Sequence, residues 1–377
     1  MKKIGKQVLF LATNDKVSRN GEGAFIRLKD GRIMYALTEF ISGDWTDHSD
    51  AQIVAYFSSD EGETWGDKRI LLKKEENELN IMSVSLIRLN NGDLGLIYLI
   101  KTENNDALCC TPYIRRSKDE GLSFSEKTLC LKEFESSIFV LNNDRVLKTS
   151  TGRIILPFAK HVQKKVGYGY EVHAGHVIFS YSDDDGKTWD YLPTELYSDY
   201  NDLTQFQEPG MFELPDGKLW TYIRTSYGFQ YQSFSDDNGQ TWTKPVPNFY
   251  FTSPEAPMLI KKMGDYTVAV FNPLPYSCVS NSMEVWGSAK RTPYVIAISK
   301  NGGYDLVCKD VVSNNGWFKD FNERVFLLED DYTNSYCYPA LIEVEGGFLV
   351  SYYHSNNTPI ALNSAKITKV LFSEFED

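Results

Sequence analysis

Glu208 and Arg224 stand sixteen residues apart in EPGMFELPDGKLWTYIR (208–224), on either side of an Asp216-Gly217 turn. Two strands joined by that turn bring both side chains to one face, where a carboxylate can move a proton and a guanidinium can hold an anion. A second cation, Arg291, opens the apolar run RTPYVIAIS (291–299). Arg145 ends the polar run NNDR (142–145), just ahead of a strand and hairpin. It either reaches the same face as the others or belongs to a turn capped by Asn and Asp. The loop GDWTDHSDA (43–51) offers Asp44, Asp47 and Asp50 as proton donors, with His48 beside them. Tyr336 and Tyr338 flank Cys337 a few residues before a turn at Gly346.

These groups lie far apart in the chain, so a repeated scaffold has to gather them. The form Ser-x-Asp-x-Gly-x-Thr-Trp occurs at 58–65, 182–189 and 235–242, with a softened copy at 117–124 and a decayed one at 299–306. Its key positions, Asp60, Asp119, Asp184, Asp237 and Asn301, are separated by 59, 65, 53 and 64 residues. In such a turn the Asp accepts bonds from nearby backbone N–H groups, and the aromatic residue buries the turn against its sheet. A second repeat consists of short hairpin turns at 28–33, 89–94, 149–154, 214–219, 262–267 and 344–349. Six hairpins against five boxes, at about sixty residues per unit, predict a single all-β domain over residues 1–377: a six-bladed β-propeller with four short strands per blade. No long stretch carries the 3.6-residue period of a helix.

Composition narrows the partners. The chain carries 51 acidic against 39 basic side chains, a net charge of −12, which argues against nucleic acid. A small anionic substrate stays compatible, because a few arginines make a local positive pocket on an acidic protein. No run approaches the eighteen apolar residues of a membrane span. The apolar run Val8–Ala12 is shorter than a secretory core, so a cytoplasmic location is expected. The six cysteines lack metal-ligand spacing, and the five histidines are dispersed, so neither a metal nor another cofactor is expected. No feature fixes an oligomeric state.

The boxes resemble those of bacterial sialidases (neuraminidases) and their BNR-repeat relatives over nearly the whole chain. That resemblance implies a retaining exo-glycosidase acting on a terminal acidic sugar. It implies that Glu208 activates a tyrosine nucleophile, which spacing to the last hairpin puts at Tyr338, with Tyr336 as the alternative. Arg224 and Arg291 would clamp the substrate carboxylate, for which a planar guanidinium fork is suited. The acid/base would come from the loop at 43–51, where Asp47 fits best and Asp50 next. A tyrosine nucleophile suits an anionic sugar, which a carboxylate nucleophile would repel.

The chain departs from the family at its first strand. The family carries a Phe-Arg-Ile-Pro motif whose Arg completes a three-arginine clamp. Here SRNGEGAFIRLKDG (18–31) puts Gly21 or Glu22 at that place. Arg19 stands close by, Arg27 would serve if the register slipped, and Arg145 is the other source of a third cation. A broader bacterial group of sialidase-like, BNR-repeat proteins resembles the chain at EGAFIRLKDG, NNDRV, QEPG and YCY. Two further readings follow: a glycosidase that handles a different sugar through carboxylates drawn from Glu22, Glu208 and Asp47, and a propeller that binds carbohydrate without catalysis.

Overall fold

Short runs of β-branched and aromatic residues between turn signals leave the strand as the regular structure open to this chain. The computed structural model describes residues 1–41, 46–104, 107–165, 171–199, 205–275, 291–307, 324–355 and 362–376, so Asp44, Cys278 and Cys308 fall outside the described residues. The fold is all-β, built of antiparallel sheets whose strands follow one another in chain order. One sheet takes Arg19–Arg27, Ile33–Phe40, Ala51–Ser58 and Gly66–Lys73. Another takes Gln207–Glu213, Leu219–Arg224, Phe229–Ser235 and Val246–Thr252. A third takes Leu259–Met263, Tyr266–Phe271, Tyr294–Ser299 and Val325–Glu329.

The last sheet joins the two ends of the described chain. Tyr336–Val344, Gly347–His354 and Ser364–Leu371 pair in order, and Lys6–Leu11 adds to the outer edge. Between the first and second sheets lies a nine-stranded assembly. Its two antiparallel halves run through Ala107–Ser117 and Ile154–Lys165, and the short strand Ile138–Val140 links them. The link on one side is a single parallel pair, Ile138 with Cys110.

The turn chemistry read from the sequence is present in atomic detail. In the first box Thr64 donates from its backbone N–H to Asp60 Oδ1 (2.9 Å) and from its hydroxyl to Oδ2 (2.6 Å), and Trp65 Nε1 donates to the Gly62 carbonyl. The decayed copy keeps part of this, with Ser299 donating to Asn301 Oδ1 and the Gly303 N–H to Ser299 Oγ. The box tryptophans also bind sheet to sheet: Trp242 stacks on Phe179 with ring centroids 4.5 Å apart and planes 9° from parallel. All six hairpin glycines, from Gly31 to Gly346, hold positive φ.

One feature of the strands bears directly on function. The first strand of four of the units carries the same irregularity, at Gly21/Ala24, Met82/Ser85, Gln207/Gly210 and Cys337/Ala340. Each bulge holds a non-glycine residue in left-handed backbone: Glu22 (φ 53°), Ser83 (59°), Glu208 (40°) and Tyr338 (58°). Asp144 (φ 55°) takes the matching place in the unit between Ser83 and Glu208. A left-handed residue with a Cβ costs about 1–3 kcal/mol, and a bulge re-aims the side chain it carries.

Candidate active site

Four of the five bulge residues face one another. Glu22, Ser83, Glu208 and Tyr338 line a cavity of about 370 Å³, together with Asp47 and Lys101. Its far wall is apolar, from Met82, Leu99, Ile138, Val140 and Leu141.

On one side the Tyr338 hydroxyl donates to Glu208 Oε1 at 2.7 Å. Arg224 Nη1 donates to the other oxygen, Oε2, at 2.5 Å, across the hairpin that the sequence placed between them. Arg224 also lies 3.7 Å from Glu255. Burial pushes the Glu208 carboxyl up, but Arg224, the Tyr338 hydroxyl and Arg291 outweigh it and hold the group below the ordinary carboxylate range. Glu208 is therefore an ionised acceptor against the phenol. Burial, with the Glu208 charge next, raises the phenol well above its usual value. Arg291 sits 5.8 Å from the centre of the Tyr338 ring and donates to Cys337 Sγ (2.9 Å) and the Glu255 carbonyl (2.9 Å).

On the other side Arg19 is shared. It donates through Nη2 to Glu22 Oε1 (2.7 Å), through Nε to the Tyr353 hydroxyl (2.8 Å), and through Nη1 to Asp47 Oδ1. Ser83 donates to Glu22 Oε2 at 2.5 Å, and Lys101 Nζ caps the Asp47 carbonyl at 2.5 Å. The two carboxyls are driven apart. Burial dominates at Glu22 and raises it, whereas at Asp47 the charges of Arg19 and Lys101 overcome burial and lower it. Of the two candidates at the motif position, Glu22 is the one on the cavity wall. A side chain at Gly21 would collide with Tyr353, whose Cε1 would lie 1.9 Å from the added Cβ.

The remaining candidates lie elsewhere. Asp50 is 3.7 Å from Lys74 Nζ and does not line the cavity. Tyr336 is buried in the core, stacked on Tyr294, and is also off the cavity wall. Arg145 is 2% exposed and is not among the residues lining the cavity, nor are Arg19, Arg224 and Arg291, which stand behind its carboxylates and Tyr338. Arg27 pairs with Glu61 at the surface.

Ser83, Lys101, Tyr353 and Glu255 escaped the sequence reading. A signal for two of them exists. Glu22, Ser83, Glu208 and Glu255 each stand nine residues before a hairpin glycine, and Tyr338 stands eight before Gly346. Counting back from the turns therefore finds the residue that each first strand presents. Lys101 and Tyr353 lie on second strands, where no such count applies.

The sheets and this gathered site define a propeller-type, sialidase-like architecture. A protein of unknown function from Dyadobacter fermentans superimposes with a TM-score of 0.69 at 16% identity, over 97% of this chain and 99% of that one. An intramolecular trans-sialidase from Ruminococcus gnavus, solved with oseltamivir carboxylate, superimposes with 0.66 at 14% identity, over 96% of each chain. In sequence, the anhydrosialidase of Macrobdella decora is 30% identical over 142 residues, which is 36% of this chain; the match spans only 16% of the leech protein. The BNR repeat-like domain model matches residues 31–350, and the chain belongs to that family, within the sialidase-like superfamily.

Proposed function

We propose that this chain is a retaining exo-glycosidase of sialidase type, built as a single six-bladed propeller in which the nine-stranded assembly counts as two blades. The observation that carries the reading is the 2.7 Å hydrogen bond from the Tyr338 hydroxyl to Glu208 Oε1. Glu208 takes the phenolic proton as Tyr338 Oη attacks the anomeric carbon, and the glycosidic C–O bond breaks as Asp47 protonates the departing oxygen. Water then attacks the glycosyl-tyrosine, giving a proton to Asp47, and the phenolate recovers its proton from Glu208. Both faces of the sugar are thus served by groups on opposite sides of one cavity.

Arg224 and Arg291 would bind a substrate carboxylate beside Tyr338, which favours a terminal acidic sugar, sialic acid or a related ulosonic acid. The likeness to an anhydrosialidase and an intramolecular trans-sialidase supports the same class. A second reading is favoured by Glu22: it lines the cavity, and Arg19 is committed to Glu22 and Asp47. A clamp of two arginines facing a carboxylate suits a sugar other than sialic acid.

The test is turnover of 4-methylumbelliferyl sialic acid beside a panel of neutral and uronic acid glycosides, with the product anomer read by NMR. Cleavage of the sialoside with retention is expected, and Tyr338→Phe should abolish it. Absence of turnover on every ulosonic acid glycoside, with cleavage of another sugar, would favour the second reading.

A further inference from the structure

Asn142, Asn143, Asp144 and Arg145 form a crossing segment that bonds to several first strands. Asn143 Nδ2 donates to the Gly23 carbonyl (2.7 Å), the Asp144 N–H to the Val84 carbonyl (3.0 Å) and the Arg145 N–H to Ser85 Oγ (3.0 Å). The Asp144 carboxylate accepts from Lys261 Nζ (2.5 Å) and from the Leu341 N–H (3.0 Å). Asp144 is therefore already matched in charge and in hydrogen bonds. Arg145, the next residue, shares the field of that one carboxylate with Lys261 but makes no hydrogen bond to it.

The Arg145 side chain is 2% exposed, and Nε, Nη1 and Nη2 all lack a hydrogen-bond partner among the described residues. No described carboxylate lies within ion-pair distance of it. Its charge is felt by the Asp144 carboxyl, which burial raises against the pull of Lys261 and Arg145, and by Tyr222 and Tyr294, where it opposes the upward push of burial on both phenols, so one carboxylate stands against two cations. The Tyr222 hydroxyl accepts from the Ile260 N–H (3.1 Å), and the buried Tyr294 hydroxyl has no partner among the described residues. The Arg145 donors and the Tyr294 hydroxyl thus have no partner among the described residues, and the Asn143 Oδ1 acceptor in the same segment is unpartnered as well. Water can accept hydrogen bonds from a buried guanidinium without neutralising it, whereas an anion does both.

We infer that Arg145 holds one small inorganic anion of halide size, buried between the first strands. Arg145 itself is not among the residues lining the candidate cavity, although Asn142 of the same segment is. Arg145 thereby serves the fold as the counter-charge of a resident ion.

The experiment compares thermal melts of the full chain in sodium chloride and in sodium gluconate at equal ionic strength, with a bromide-soaked crystal collected at the bromine edge. Chloride should raise Tm saturably, by about 2 °C or more. Bromide should give an anomalous peak within hydrogen-bond reach of the Arg145 guanidinium. Arg145→Met, which leaves Arg224 and Arg291 in place, should lose the chloride-specific shift. A shift that persists in Arg145→Met overturns the inference, as does wild-type density showing only water at Arg145. A peak in crystals without any saturable shift in solution marks an adventitious ion only, and overturns it too. If Arg145→Met fails to fold, the wild-type titration and the anomalous map still decide.

Discussion

Tyr338 and Glu208, 130 residues apart in the chain, meet at 2.7 Å because each occupies a left-handed bulge at the same step of its own strand. The pairing comes from two strained backbones aimed at one point. Neither residue has an ordinary strand conformation, and each would point elsewhere if it did.

Removing the phenol oxygen should therefore remove the reaction and spare the fold. Tyr338→Phe is expected to lower kcat on the order of 10³-fold or more, and Glu208→Gln by about 10²–10⁴-fold. Thermal melts should stay within a few degrees of wild type, since Arg224 still accompanies position 208 in both variants. Near-native turnover by Tyr338→Phe would remove this tyrosine from the mechanism.

In the proposed reaction Asp47 has to be protonated to donate to the leaving oxygen, yet Arg19 and Lys101 lower its carboxyl below the usual range. The protonated form gains population only as pH falls. The kcat for a substrate with a poor leaving group should therefore rise toward acid, and the slope should flatten for an activated aryl glycoside that leaves without help. Asp47→Asn should depress the first substrate far more than the second. Equal losses on both would point to a structural role for Asp47.

Glu22 has the opposite sign. Burial raises its folded carboxyl above the unfolded value, so its contribution to stability is fully present below the unfolded pKa of about 4.3 and is lost as pH rises through the folded value. Relative to Glu22→Gln, the wild-type protein should lose stability as pH climbs above that window. Paired melts of the two proteins from pH 4 to 8 measure this directly. A difference independent of pH would mean that Arg19 and Ser83 offset the burial of Glu22 completely.

The boxes should act on stability alone. Asp184→Ala removes acceptors for the Lys187 and Thr188 N–H groups and for the Thr188 and Ser182 hydroxyls. A cost of about 1–2 kcal/mol is expected, read from denaturant midpoints, with KM unchanged. A change in KM would give this distant turn a part in the site.

Much of this architecture was legible in residues 58–65 and their copies, because a turn is specified by local chemistry: an Asp, a Gly and an aromatic within eight positions. The Glu208–Arg224 pair was legible for the same reason, as one hairpin fixes their separation. Tyr336 and Tyr338 share parity along a strand, so alternation could not separate them; spacing to the hairpin favoured Tyr338, and the left-handed bulge between Cys337 and Ala340 turns it away from Tyr336, which is buried against Tyr294. Arg19 was less transparent. Its proximity to Glu22 could be read, but its simultaneous hold on Asp47 depends on where a loop from another strand falls. Arg145 shows the limit most clearly, since a polar run before a hairpin says nothing about whether its side chain meets a cavity or an enclosed space between sheets.

The strand Lys6–Leu11 pairs with Ser364–Leu371, so the outer edge of one sheet is made by segments separated by nearly the whole sequence. Loop closure of that length makes this contact the latest to be rewarded during folding. It works as a latch: every other sheet can assemble from neighbouring segments as they emerge, and this one waits for its second half. Under mechanical load applied to both ends, the latch lies directly in the path of force and should open first, while Tyr336–Val344, at the opposite edge of that sheet, keeps its pairing with Gly347–His354. Tyr338 would then hold its place after the latch had parted, so tension would loosen the rim of this sheet before it disturbed the cavity.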